Sequence, residues 1–169
     1  MELPKRKSPR LPGYDYSTNG AYFITICTKD KKPIFGDVGA DSISARTIQR
    51  TFIETIQKYP QVESPIFIVM PNHFHAIITI QRADMESAPT ISEVIQSFKR
   101  YSTIEYIRLV KTGYIPAFEK QIWQRSFHDH VIRDEAGYLK IWNYIEGNPS
   151  KWEEDCFYVK EEWDVPVYR

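Results

Sequence analysis

Residues 65–80 read Pro-Ile-Phe-Ile-Val-Met-Pro-Asn-His-Phe-His-Ala-Ile-Ile-Thr-Ile, and the fold turns on this stretch. Residues 65–69 and 73–80 are short apolar runs joined by Met70-Pro71-Asn72, and the turn-forming Pro and Asn predict an antiparallel hairpin. Side chains alternate along a strand, so His73, His75, Ile77 and Thr79 share one face while Phe74, Ala76, Ile78 and Ile80 share the other. The second set is wholly apolar and belongs under helices. His73 and His75 therefore point together from the opposite, open face, where two imidazoles can share one metal ion.

Working outward, residues 21–28 (AYFITICT) are β-branched and aromatic, which predicts a strand; Pro33, Gly36 and Gly39 mark a loop. Within residues 44–59, Ile48, Phe52, Ile56 and Tyr59 form a helical stripe that Pro60 ends. Thr90-Ile91-Ser92-Glu93 is a capping box, and Ile91, Val94, Ile95 and Phe98 continue a helix to about Lys111. Residues 123–133 predict a strand with room for a bend. Residues 134–146 predict a last helix, stopping at Gly147-Asn148-Pro149. The order β-α-β-β-α-β-α is that of an α+β, ferredoxin-like (split βαβ) antiparallel sheet, with helices on one face and an additional C-terminal helix. Its first and third strands lie in the middle, which makes residues 73–80 central.

The chain has 169 residues, enough for one domain, and 42% hydrophobic with 26% charged residues excludes a wholly disordered or fibrous protein. Twenty-two basic residues balance 22 acidic ones, so a polyanion would have to be held by a local patch. Lys5, Arg6, Lys7 and Arg10 make a basic arm over about residues 1–12, and residues 150–169 an acidic tail. Cys27 and Cys156 stand far apart in sequence and form no CxxC pair, so neither a disulfide framework nor a cysteine zinc module is indicated. No apolar run approaches a membrane span, and a cytoplasmic protein is expected. Aromatic residues make up 14%, a share that suits base stacking and a tightly packed core equally.

All four histidines fall in two His-x-His pairs, His73-Phe74-His75 and His128-Asp129-His130. The segment Met70-Pro71-Asn72-His73-Phe74-His75, followed about 70 residues later by Tyr144-Ile145-Glu146-Gly147-Asn148-Pro149, resembles the single-tyrosine transposases of the IS200 type, most nearly the REP-associated tyrosine transposases. The likeness runs from Arg10-Leu11-Pro12-Gly13-Tyr14-Asp15-Tyr16 through Trp123-Gln124-Arg125-Ser126-Phe127 to Asn148-Pro149-Ser150-Lys151-Trp152. It implies a single IS200-like domain over 1–169. It also implies metal-assisted cleavage and rejoining of single-stranded or hairpin DNA in transposition, through a 5′-phosphotyrosine and a free 3′ hydroxyl. His73, His75 and Asn148 would hold a divalent ion, Mg²⁺ or Mn²⁺, and Tyr144 on the last helix would be the nucleophile, in a monomer or a homodimer. From the residues alone, Tyr144 also reads as an aromatic flanking Ile141 and Ile145, and Gly147-Asn148-Pro149 as an ordinary helix end.

Candidate phosphate contacts are Arg6 and Arg10 in the arm, Lys99 and Arg100 on the second helix, and Arg125 and Arg133 on the fourth strand. Tyr14, Tyr16 and Trp123 are candidates for stacking on bases. His128 and His130 read as DNA contacts or surface hydrogen-bonding groups, with a four-imidazole zinc site as the lesser alternative. Two further functions fit the same fold. A non-catalytic RNA-binding module would need the aromatic motif that the central strands lack, and a small zinc hydrolase would need a carboxylate base that the sequence does not single out.

Overall fold

The computed structural model describes residues 19–38, 42–81 and 88–159. Four strands, β1 (Gly20–Cys27), β2 (Val62–Met70), β3 (His73–Ile80) and β4 (His128–Ile132), form one sheet in the order β2-β3-β1-β4, with every neighbouring pair antiparallel. Helices α1 (Ile43–Gln57) and α2 (Ile91–Lys111) pack on one face and on each other, and α3 (Glu135–Gly147) follows β4. This is the expected split βαβ sheet, with β1 and β3 in the centre.

The helix starts follow local chemistry. Ser42 Oγ accepts the Ala45 N–H at 3.0 Å to begin α1, and Thr90 and Glu93 form the full capping box of α2. Thr51 and Thr55 are buried on α1 because each hydroxyl donates to a carbonyl one turn back at 2.7 Å. Between helices and sheet, Phe52, Phe74 and Phe98 form a cluster of rings 4.7 to 5.1 Å apart, joined by Ile24, Ile26, Ile48, Ile78 and Ile95. Phe74, Ala76 and Ile78 lie in this core, as their alternation predicts.

Two expectations change. The fourth strand is only five residues long, and its predicted first half is a loop. Trp123 makes a single bridge to Thr28, and its indole N–H donates to Ser102 Oγ at 2.9 Å inside the core, so it is a packing residue and not a surface for bases. The second change concerns the open face. α3 lies principally against β2 and β3 on that side, and His73 and His75 are 0% and 1% exposed. The arm with Arg6 and Arg10, and Tyr14 and Tyr16, lie outside the described residues.

Candidate catalytic and metal-binding site

His73 and His75 leave the start of β3 on the face opposite the phenylalanine core, with ring centroids 4.5 Å apart. Each Nδ1 is tied down. That of His75 lies 2.9 Å from Thr25 Oγ1, directly across on β1, and that of His73 lies 2.9 Å from Asn72 Oδ1. The Asn72 amide nitrogen donates to the carbonyls of Lys31 (3.1 Å) and Phe157 (2.8 Å), which fixes which end of the amide faces His73. An amide oxygen only accepts, so His73 carries its proton on Nδ1 and presents a lone pair at Nε2. Burial pushes the His75 imidazole down to about 4, and burial with the neighbouring His75 holds His73 well below the usual histidine range. Both rings are neutral at neutral pH, the state in which imidazole binds metals.

α3 brings Tyr144 over this pair. Asn148 keeps helical dihedrals (φ −58°, ψ −41°), and Pro149 then sits in the first turn of a 3-10 helix, where a missing N–H costs nothing. The spacing of four therefore holds, and Tyr144 and Asn148 stand on the same side of the helix. The Tyr144 hydroxyl lies 3.4 Å from His75 Nε2, and its ring packs edge-on against His75 and Phe23.

Asp155, just past the 3-10 helix, completes the group. Its Oδ2 accepts from Asn148 Nδ2 at 2.8 Å and from the Tyr144 hydroxyl at 3.2 Å, and its Oδ1 accepts the Phe157 N–H at 2.7 Å. Burial alone would raise the Asp155 carboxyl, but these donors and nearby His73 outweigh it and hold the group ionised. Burial, then the carboxylate, push the Tyr144 phenol up to about 12. One ligand atom from each of His73, His75 and Asp155 lies within 4.8 Å of the others. Two buried acceptors, His73 Nε2 and Asn148 Oδ1, have no hydrogen-bond partner among the described residues. Orphaned acceptors beside a carboxylate are costly unless a cation or its water satisfies them, so the donor set fits a divalent ion.

The sequence brought His73, His75, Tyr144 and Asn148 to one place, and the structure joins them. It adds Asp155, which an acidic run conceals, and Asn72, whose place in the quoted motif was the only signal. Arg100, Arg125 and Arg133 are exposed, as a phosphate contact requires. Lys99 differs. Its ammonium donates to the carbonyls of Gln124 (2.8 Å), Arg125 (3.3 Å) and Ser126 (3.0 Å), which leaves no N–H for a phosphate and makes it the clip of the loop before β4. His128 and His130 are exposed on the edge strand and are not part of the buried group.

Among the described residues no helix is long and apolar enough to cross a membrane. The family pattern described as "Transposase IS200 like" matches residues 16–148. An uncharacterized protein of Haemophilus influenzae (strain Rd) is 32% identical over 168 residues, covering 91% of this chain and 93% of its own. A second protein of that strain, provisionally named a REP-associated tyrosine transposase, is 29% identical over 138 residues, covering 81% and 74%. Among solved structures, a REP-associated tyrosine transposase bound to a REP hairpin superposes with a TM-score of 0.61 at 21% identity, over 92% of this chain and 81% of that one. A provisionally assigned transposase from Deinococcus radiodurans R1 gives 0.51 at 18% identity, over 82% and 95%. The chain belongs to the IS200-like transposase family.

Proposed function

We propose that this protein cleaves and rejoins single-stranded DNA beside a hairpin, with Tyr144 as the nucleophile and a divalent ion as cofactor. The observation that carries the reading is the Tyr144 hydroxyl, 3.4 Å from His75 Nε2 and 3.2 Å from Asp155 Oδ2, two members of the His73, His75 and Asp155 group. His73, His75, Asn148 and Asp155 would hold Mg²⁺ or Mn²⁺, which draws charge from a phosphate oxygen. A hairpin-bound relative of the same fold supports the choice of DNA.

The chain's own groups define the remaining chemistry. The phenol oxygen forms a bond to phosphorus as the bond to the 3′ oxygen breaks, giving a 5′-phosphotyrosine and a 3′ hydroxyl once that oxygen takes a proton. The phenol must lose its own proton, and Asp155 Oδ2, already accepting it at 3.2 Å, is the nearest base. The phosphotyrosine retains the free energy of a phosphodiester, so an incoming 3′ hydroxyl reverses the step without a nucleotide cofactor. Exposed Arg100, Arg125 and Arg133, and arm residues Arg6 and Arg10, are the proposed phosphate contacts.

The test is incubation of labelled hairpin DNA bearing a single-stranded flank with the protein and Mn²⁺. The parent yields an adduct stable to denaturation, with the 5′ phosphate on the Tyr144 peptide. Tyr144→Phe removes one oxygen, keeps the ring against Phe23 and His75, and binds without cleaving. Cleavage undiminished in Tyr144→Phe, with no adduct, would instead indicate hydrolysis at the two-histidine, one-carboxylate group.

A further inference from the structure

The second histidine pair plays no part in that chemistry, yet the strand register places it on the same face of the sheet. Across the strands, His128 pairs with Thr25, which pairs with His75; one row along, His130 pairs with Phe23, which pairs with Ile77. Partners in an antiparallel register share a face, so all four histidines project to the side that carries Tyr144. α3 lies principally over β2 and β3. The β1–β4 half of the same face keeps Phe23 partly exposed and leaves His128 and His130 exposed.

Phe23 links the two halves. Its ring lies 5.1 Å from His75 at a 30° tilt, and it receives Tyr144 edge-on at 5.9 Å and 88°. A partly exposed aromatic ring thus adjoins the proposed nucleophile. On its far side, two imidazoles stand about 6.7 Å apart along the edge strand, following the rise of two strand residues. Among the described residues, the only group of three metal-ligating side chains is the buried one, which argues against a second metal at His128 and His130.

We propose that Phe23, His128 and His130 seat the nucleotide next to the scissile phosphate: its base stacks on Phe23, and the imidazoles donate to the adjoining backbone phosphates. The occupant is single-stranded DNA, because a paired base hides its face from an aromatic platform, and because the platform is continuous with Tyr144. This inference rests on the proposed DNA-cleaving function and adds to it the path of the strand, across the β4 edge.

The test uses a hairpin with a single-stranded flank carrying 2-aminopurine beside the scissile linkage, and the same hairpin without the flank. In the cleavage-blocked Tyr144→Phe protein, binding quenches the probe. Adding Phe23→Leu abolishes the quenching and weakens the flanked hairpin about tenfold, the scale of one lost base stack, while the unflanked hairpin binds as before. Phe23→Trp, which keeps a ring, restores both. Adding His128→Ala and His130→Ala instead, on the exposed edge where folding is not at stake, selectively weakens the flanked hairpin severalfold. Unchanged quenching and affinity in the Phe23→Leu and double-histidine proteins overturns the platform while leaving the proposed function intact. A parent that neither cleaves nor forms an adduct overturns both.

Discussion

The chain uses one spacing twice, and the two His-x-His pairs share one face of one sheet. His73 and His75 sit on a central strand under α3, 0% and 1% exposed, each Nδ1 engaged by a neighbouring side chain. His128 and His130 stand on an edge strand in the open, and their side chains make no hydrogen bond to another described residue. Spacing alone settles only that two imidazoles point the same way. Position in the sheet settles what they can do: on the central strand Thr25 from β1 and Asn72 from the hairpin turn hold the rings under a cover, while an edge strand leaves the rings free for an incoming ligand.

Cleavage is where the two pairs differ most. His73→Ala or His75→Ala should lower the rate at saturating DNA and modest Mn²⁺ by a hundredfold or more, since losing a ligand costs more than the roughly 10–100-fold typical of an outer-shell partner. The double His128→Ala, His130→Ala protein should stay within about tenfold of the parent. Denaturation curves on the same variants separate loss of chemistry from loss of fold. Equal losses from both pairs would break the comparison.

Asn72 sharpens it, because the edge pair has no equivalent. Asn72→Ala removes the acceptor that keeps the His73 proton on Nδ1, so the ring can turn its N–H toward the metal site. The concentration of Mn²⁺ needed for half-maximal cleavage should rise about 10–100-fold, with the maximal rate recovered at high metal. An unchanged metal requirement would mean that His73 is oriented by packing against Trp152 and Phe157 alone.

How much of this was legible follows the range of the forces involved. The hairpin, the faces of β3 and the capping box of α2 are dictated by neighbours within a few residues, and each was readable. The length of β4 was not. Residues 123–127 have strand-like composition, but Trp123 is claimed by Ser102 and the next carbonyls by Lys99, contacts more than twenty residues away in sequence. The cover over His73 and His75 depends on where α3 docks, which its own stripe does not declare. Asp155 looks like Glu153 and Glu154 beside it, and only the fold sets it against Tyr144 and Asn148.

The smallest expected effect of burying His73 and His75 is on stability against acid. The His75 imidazole is held down to about 4 in the folded protein by burial, against about 6.5 in the unfolded chain. Between those values the unfolded state binds the extra proton, so stability is fully present above about pH 6.5 and is lost as pH falls toward 4. The slope is about 1.4 kcal/mol per pH unit for each such histidine, and His73 is shifted in the same direction. Urea midpoints of the metal-free protein should therefore fall between pH 7 and pH 5. His75→Asn, which has no group titrating in this range, should flatten that fall by about the share of one histidine. A slope that persists unchanged in His75→Asn would mean that burial of this imidazole is not what makes the fold sensitive to acid.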